Sequence, residues 1–372
     1  MLVGVPKEIK NHEYRVGLTP AGARELSALG HQVLVQRGAG AGIGLEDAAY
    51  EAAGAHIVED AAEVYARAEM IIKVKEPQPE ECALLRPGQI LYAYLHLAPD
   101  PEQTRALLAS GCSAIAYETV TDHRGGLPLL APMSEVAGRM AVQAGAHALE
   151  KAQGGKGILL GGVPGVRPAR VLVLGGGTVG LNAARMAMGL GAEVILMDRS
   201  LERLKYVEEL YGDRLTTLYS SRDAIEELLP ATDLVIGAVL IPGAAAPKLV
   251  SRAQLELLPP GSVLVDVAID QGGCFETSRP TTHQDPTYEV DGIIHYCVAN
   301  MPGAVARTST FALANATLPH ALALASKGLH QALLDDVNLR NGLNVHAGKL
   351  TCRPVAESLD LPYTPASEAL AS

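Results

Sequence analysis

Short apolar runs alternate with amphipathic stretches from the first residues of this chain. Leu2–Val5 is an apolar run, followed by a loop and then Thr19-Pro20, an N-cap residue with proline at the first helical position. That helix ends near Gly30, and residues 31–36 read as the next strand. Residues 70–74 and 89–95 are further strands. The second of them precedes Asp100-Pro101, another cap-plus-proline start, with Gln103 spaced for a capping box. From 134 to about 153 the pattern is helical without proline, and it would span about 30 Å, enough to cross from one domain to another. A Gly/Pro-rich connector, 154–168, follows as a surface loop. A second strand–helix series starts at Arg170–Leu174 and continues through 193–197, 234–236 and 262–269. Pro302 opens a helical stretch expected to be interrupted at Pro319 and to stop near Gly328. The polar, mixed tail beyond it ends in a Pro/Ala/Ser-rich segment expected to be loosely ordered. Strand–helix alternation of this kind builds parallel sheets. The expectation is an α/β protein of two doubly wound parallel-sheet, Rossmann-like domains joined by long helices.

Composition agrees with this plan and narrows the partners. A chain of 372 residues has two domains as its natural count, and 48% hydrophobic against 19% charged residues allows a core in both. There is no Trp and there are only two Phe, so the core is aliphatic, which suits helices packed closely on parallel strands. A formal charge of −11 argues against nucleic acid or an anionic membrane as partner, because either needs a clustered basic face. Cys82, Cys112, Cys274, Cys297 and Cys352 are scattered with no CxxC pair, so neither a zinc site nor a disulfide framework is indicated. The chain opens almost directly into a strand, without the apolar region of a signal peptide, and no apolar run reaches the roughly 18 residues of a membrane span. The expectation is a reduced, soluble, cytoplasmic protein.

The second series begins with a specific signal. Val171–Leu174 enters Gly175-x-Gly177-x-x-Gly180, a small-residue helix leaves it, and the next strand ends in Asp198, 18 residues after Gly180. In this arrangement Gly175 permits the tight turn, Gly177 lets the backbone approach a pyrophosphate, and Gly180 allows close helix–strand packing. The helix N-terminus offers N–H groups and a positive dipole end to the phosphates. Asp198 would accept hydrogen bonds from the adenosine ribose and repel a 2′-phosphate, favouring NAD over NADP, although Arg199 and Arg203 lie nearby.

Ligands of open parallel sheets bind beyond the carboxyl ends of the strands, and three side chains of the first half fall there. Arg15 follows the first strand, Lys75 closes the strand MIIKVK, and His96 ends strand 89–95. Arg can hold a carboxylate through two N–H bonds, Lys supplies a compact charge, and His exchanges a proton near neutral pH. Together they suit a small 2-oxo or 2-amino acid. Taken singly, Arg15 and Lys75 also fit solvated surface charges, and His96 a satisfied histidine at a strand end. In the second half, 263–270 reads as a strand terminating in Asp270. Asp266 competes with it for the catalytic role, and pattern alone does not choose between them. His295 reads as structural.

With these residues in view, the chain resembles the alanine dehydrogenase family. The match is carried by GVPKEIKNHEYRVGLTP (4–20), KVKEP (73–77), YLHLAPD (94–100), LAPMSEVAGRMAVQAGA (130–146), LGGGTVG (174–180), DVAIDQGG (266–273) and CVANMPGAVARTST (297–310). The resemblance implies reversible oxidative deamination of L-alanine to pyruvate and ammonium with NAD as cofactor. It assigns Arg15 and Lys75 to the substrate's carboxylate and carbonyl and His96 to general acid/base work. It also picks Asp270 over Asp266 as the second catalytic residue, with Asp270 on the cofactor as well, and places Asn300 and Met301 beside the nicotinamide, with Asn300 also on the substrate. On the cofactor side it points to Ser134, Thr178, Val179, Asp198, Arg203, Ser220, Val239, Leu240, Val267, Ile269 and Val298. It implies a substrate domain of 1–130 plus 307–372, an NAD-binding domain of 131–306, and a homo-hexamer. Some relatives carry a metal-linked acid and histidine in the late helix; Ala323 and Lys327 stand there instead, so no metal is expected. Rival readings are the soluble NAD-binding component of a proton-translocating transhydrogenase, a dehydrogenase for a larger amino acid such as saccharopine, and a non-catalytic NAD-sensing module.

Overall fold

The computed structural model describes residues 1–239 and 246–371. Its first apolar runs form β1 (Leu2–Val5), β2 (Gln32–Gln36), β3 (His56–Val58), β4 (Met70–Ile72), β5 (Ile90–Ala93) and β6 (Ser113–Ala116), all parallel. β4, β5 and β6 are buried along their whole length, so they read as continuous apolar runs, not as alternation. The spatial order is β6-β5-β4-β1-β2-β3. The chain therefore steps outward from β1 to β3, returns to lay β4 beside β1, and steps outward again to β6. β1 and β4 flank the point where strand order reverses, which is where a crevice opens beyond the strand ends.

The helix starts follow their caps. Thr19 Oγ1 accepts the Gly22 N–H at the head of helix Pro20–Ala28, and Asp100 accepts the Gln103 N–H at the head of Pro101–Ser110. Gln103 does not complete a capping box. Its Nε2 donates 2.9 Å to the Leu95 carbonyl, a buried acceptor in the chain leading from β5.

The second series gives β7 (Arg170–Leu174), β8 (Glu193–Asp198), β9 (Thr216–Tyr219), β10 (Leu234–Gly237), β11 (Val263–Asp266), β12 (Thr287–Val290) and β13 (Ile293–Tyr296), in the order β12-β13-β11-β10-β7-β8-β9. Only β12 is antiparallel to its neighbour among these described strands. β7 and β10 flank the reversal. The run 262–269 does not stay extended to Asp270: β11 ends at Asp266, and Ile269–Gln271 is a 3-10 turn. The Asp266 carboxylate bends the chain there by accepting the N–H groups of Ala268, Cys274 and Phe275. The helix expected over 134–153 runs Ala131–Ala148, followed by a 3-10 turn at Lys151–Gln153. Pro132 lies in its first turn, where a missing N–H leaves no helical bond unmade.

Helix Ala306–Asp335 runs through Pro319 without interruption; the break in dihedrals comes at Gly328, with φ 75° and ψ 163°, after which the chain is helical again. The tail is ordered, contrary to expectation. β14 (Leu343–His346) and β15 (Lys349–Leu350) extend the first sheet beyond β6, and Ala369 and Leu370 of helix Ala366–Ala371 are buried. β6 would otherwise expose a row of unpaired backbone groups, and β14 satisfies them in antiparallel register. Among the described residues the two sheets thus hold eight and seven strands, mostly parallel with antiparallel edges. Backbone contacts divide the chain into two units, Met1–Met133 with Val305–Ser372, and Ser134–Ala304. Among the described residues no helix is long and apolar enough to cross a membrane.

Candidate active site

In the first unit, Arg15, Lys75 and His96 all stand past strands that adjoin in the order β5-β4-β1. Lys75 and His96 each lie three residues beyond the strand end, not within the strand. Arg15 is no surface charge, since its side chain is 2% exposed. Its Nε and Nη2 donate to the two oxygens of Glu13, at 2.7 and 2.6 Å, and its Nη1 lies 3.1 Å from Met133 Sδ. Dehydrating two such ions costs several kcal/mol each, and only bidentate geometry of this quality offsets it. Burial disfavours the charged guanidinium, but the hydrogen bonds and charge of Glu13 outweigh burial and hold its pKa above the ordinary value. A cavity of about 490 Å³ lies on the β1–β2 side, lined among others by Lys10, His12, Glu13 and Arg15. It includes neither Lys75 nor His96, so it does not gather the three side chains.

His96 adopts φ 48°, a left-handed conformation unusual for a residue with a side chain. Glu118 holds it there by accepting the N–H groups of Leu95 and His96, the latter at 2.7 Å. The imidazole stacks on Tyr94 and its Nδ1 lies 3.6 Å from Glu76 Oε2, while the other Glu76 oxygen pairs with Lys10. Burial opposes charge on both groups. For Glu76, His96, Lys75 and Lys10 outweigh it and push the carboxyl far below its usual range. For His96, burial and Lys75 are outweighed by Glu76 and Glu118, so its pKa lies above 6.5. The His96 side chain keeps 43% of its surface accessible, which leaves the imidazole open to a small molecule.

In the second unit the glycine turn leads from β7 into helix Thr178–Gly189. Gly175 has φ 104°, and a Cβ there would lie 2.8 Å from the Ala238 carbonyl, just past β10. A Cβ on Gly180 would lie 1.7 Å from the Gly175 carbonyl, so only glycine lets the helix pack this close. A Cβ on Gly177 would meet nothing within 4 Å. Gly177 is the N-cap and no side chain caps the helix, so the first-turn N–H groups at Thr178, Val179 and Gly180 have no helical acceptors. The cradle fits a pyrophosphate. Asp198 ends β8 and accepts Gly176 N–H at 2.7 Å and Ser200 N–H at 2.8 Å, each oxygen retaining a lone pair for a ribose hydroxyl. Arg203 is committed to the turn, its Nε donating to the Gly176 carbonyl and its guanidinium lying over Tyr206.

The remaining cofactor-side positions lie past the same sheet edge. Ser220 follows β9 and donates its N–H to the Asp198 carbonyl; Val239 follows β10; Val267 follows β11 and donates to the Gly237 carbonyl. Val298 and Met301 are buried past β13, and Asn300, at φ 69°, accepts from His283 Nε2 at 2.9 Å. Ser134 lies one turn before Gly138, where a Cβ would meet the Val179 carbonyl at 2.2 Å, so its helix passes against the glycine-turn helix. Leu240 lies outside the described residues. Of the rival acids, Asp270 is exposed in the 3-10 turn, whereas Asp266 is buried and fully engaged by backbone N–H groups and Ser278. His295 is buried, bonded to Thr277 and the Ile293 carbonyl, and stacked on Tyr288. In the late helix Ala323 offers no ligand and Lys327 pairs with Asp335 at 2.6 Å. Sequence reasoning missed Glu8, Glu13, Lys73, Glu76 and Glu118. For the first four the available signal was the density of acids and lysines in KEIKNHEYR (7–15) and KVKEP (73–77); Glu118 lies outside both segments and carried none.

The chain matches the N-terminal domain of the alanine dehydrogenase/PNT family over residues 4–137 and its C-terminal domain over 141–353. It is 65% identical over 367 residues to the alanine dehydrogenase of Halomonas elongata, covering 99% of each chain. A solved structure of an L-alanine dehydrogenase, 52% identical, superposes with a TM-score of 0.94 over 97% of this chain and 99% of that one. A transhydrogenase from Sinorhizobium meliloti is more distant, at 26% identity and a TM-score of 0.81, over 95% and 99% of the chains.

Proposed function

The chain belongs to the alanine dehydrogenase/PNT family, and on that premise we propose that it catalyses the reversible NAD-dependent oxidative deamination of L-alanine to pyruvate and ammonium. The observation that carries this reading is the placement of Arg15, Lys75 and His96 past three adjoining strands of one sheet. Two cations and one accessible acid/base are what a small 2-oxo acid requires. NAD, when bound on Gly175–Gly180 with its ribose at Asp198, supplies the hydride acceptor. Arg15, its plane set by Glu13, holds the substrate carboxylate, and Lys75 holds the oxygen or nitrogen on C2. Asn300 and Met301 border the nicotinamide. Asp270 is assigned to the positive charge of the substrate iminium, which an ionised carboxylate stabilises. Neutral His96 takes a proton, at an imidazole nitrogen, from the water that adds to it; the carbinolamine hydroxyl proton then passes to the departing amine, ammonia leaves, and His96 is left protonated. The family reading brings with it a cytoplasmic location and a homo-hexamer, and sedimentation of the purified chain would test the hexamer.

NADH oxidation by the purified protein with pyruvate, with and without ammonium, tests the function. Turnover that requires ammonium is expected. Ammonium-independent turnover would indicate a hydroxy-acid dehydrogenase. Hydride exchange between nicotinamides without any amino acid would indicate a transhydrogenase component, and NAD binding without turnover a sensing module.

A further inference from the structure

One buried group of charges in the first unit has no place in the reaction steps above. Lys73 is fully buried, and its Nζ donates to Glu8 Oε2 at 2.9 Å and to Glu81 Oε1 at 2.8 Å. Tyr65 Oη donates to the same Glu81 oxygen at 3.2 Å, and the other Glu81 oxygen accepts the Gln78 N–H. Two carboxylates around one ammonium is an unfavourable thing to bury if stability were all it served, since apolar side chains of similar volume would cost less. Glu8 is distinguished from Glu81 by what its second oxygen does. Glu8 Oε1 accepts the backbone N–H of Val74 at 2.7 Å and of Lys75 at 3.3 Å. Glu8 itself stands three residues past β1, so one carboxylate bridges the two strand ends that flank the reversal of the sheet.

The path from β4 to Lys75 is pinned elsewhere too. The Lys73 N–H donates to the Tyr92 carbonyl, and Tyr117 Oη donates to the Lys73 carbonyl at 2.9 Å. A Cβ on Gly17 would lie 2.6 Å from the Ile72 carbonyl, so the segment carrying Arg15 packs directly on the same stretch. The two N–H groups beyond Lys73 turn away from the β-ladder and meet Glu8. We infer that Glu8 is a positioning residue for Lys75: anchored by Lys73, it fixes the backbone on which Lys75 stands and locks that backbone to the segment carrying Arg15. Glu81, with Tyr65 on it, holds the anchor Lys73 and does not touch Lys75. Glu8 touches no reacting atom. It acts by holding one substrate-binding cation at a set distance from the other, where misplacement of about 1 Å is enough to slow a reaction severely. Burial raises the Glu8 pKa against the opposing pull of Lys73 and the Val74 N–H, which is the cost of placing a carboxylate here.

The inference rests on the reading of Lys75 as a substrate-binding cation. Steady-state kinetics of Glu8→Ala and Glu81→Gln, with NADH, pyruvate and ammonium, separate the possibilities. Glu8→Ala should raise KM for pyruvate at least tenfold, leaving KM for NADH within about twofold. Glu81→Gln, which alters the same buried cluster without touching the 74–75 backbone, should leave both within about twofold. Equal damage to pyruvate KM from both variants, or none from Glu8→Ala, overturns the inference. Amide exchange of the unaltered protein gives a second reading that needs no variant to fold. Val74 and Lys75 should exchange at least a hundredfold more slowly than in an unstructured peptide, and exchange at the peptide rate would show that the clamp does not exist. If the unaltered protein lacks ammonium-dependent turnover, or Lys75→Ala leaves pyruvate KM unchanged, the functional reading fails instead.

Discussion

Both sheets reverse their strand order at a comparable place, β1/β4 in one and β7/β10 in the other, yet opposite materials stand beyond the strand ends. Past β1 and β4 are charged side chains, each held by a partner: Arg15 by Glu13, Lys73 by Glu8 and Glu81. Past β7 and β10 are glycines, open space over Gly177 and a helix N-terminus. Topology supplies a crevice in each case, and the residues filling it set the kind of ligand. A polyanion too large for one side chain is met by bare backbone and a helix dipole. On the proposed function, a small acid whose orientation matters is met by Arg15 and by Lys75, whose backbone Glu8 and its anchor Lys73 hold. A carboxylate organises each region all the same, Glu8 binding the 74–75 backbone and Asp198 the glycine turn.

The comparison breaks most readily at His96. Replacing it with Ala should lower turnover by about 10²- to 10⁴-fold while NADH affinity, measured by fluorescence titration, stays within about twofold. Retained turnover would remove His96 from the mechanism. The glycine side is sharpened by a pair of variants. Gly177→Ala places its methyl group in open space, so it should melt like the parent but bind NADH at least about tenfold more weakly, about 1.4 kcal/mol. Gly180→Ala drives a methyl group into the Gly175 carbonyl and should lose about 1–3 kcal/mol or more of stability in denaturant unfolding. Equal stability of the two would contradict the packing described here.

Smaller effects follow from charge. The raised His96 pKa fixes a sign in each direction of the reaction. Reductive amination starts from protonated His96, so kcat/KM for pyruvate should fall as pH rises through a midpoint above 6.5. Deamination starts from neutral His96, so kcat/KM for alanine should rise through the same midpoint. Midpoints at or below 6.5 in pH–rate profiles would contradict the role of Glu76 and Glu118 in holding the proton. Asp198→Asn removes the charge that repels a 2′-phosphate and should narrow the preference for NADH over NADPH by about tenfold, about 1.4 kcal/mol.

Much of this was legible in the sequence because it depends on local order. Gly175, Gly177, Gly180 and Asp198 form one strand–turn–helix–strand unit whose jobs follow from spacing. The positions of Arg15, Lys75 and His96 past strand ends follow from strand–helix alternation, although their roles came from resemblance to a family. What escaped depends on partners distant in the chain. Nothing near Glu8 shows that Lys73 lies against it, and nothing near Glu118 shows that it holds His96 at positive φ. Asp270 reads as a strand end in sequence because the turn is made by Asp266 reaching forward to Cys274 and Phe275. The tail reads as loose in sequence because β14 and β15 are too short to declare themselves until β6 offers an edge. Pro319 looked like a stop, but helix Ala306–Asp335 changes course only at Gly328.

The division of labour between the two regions is tested most directly by measuring NADH affinity and pyruvate KM together in Lys75→Ala. The account predicts NADH dissociation constants within about twofold of the parent and a pyruvate KM raised at least tenfold. Parallel weakening of both, or an unchanged pyruvate KM, would contradict it.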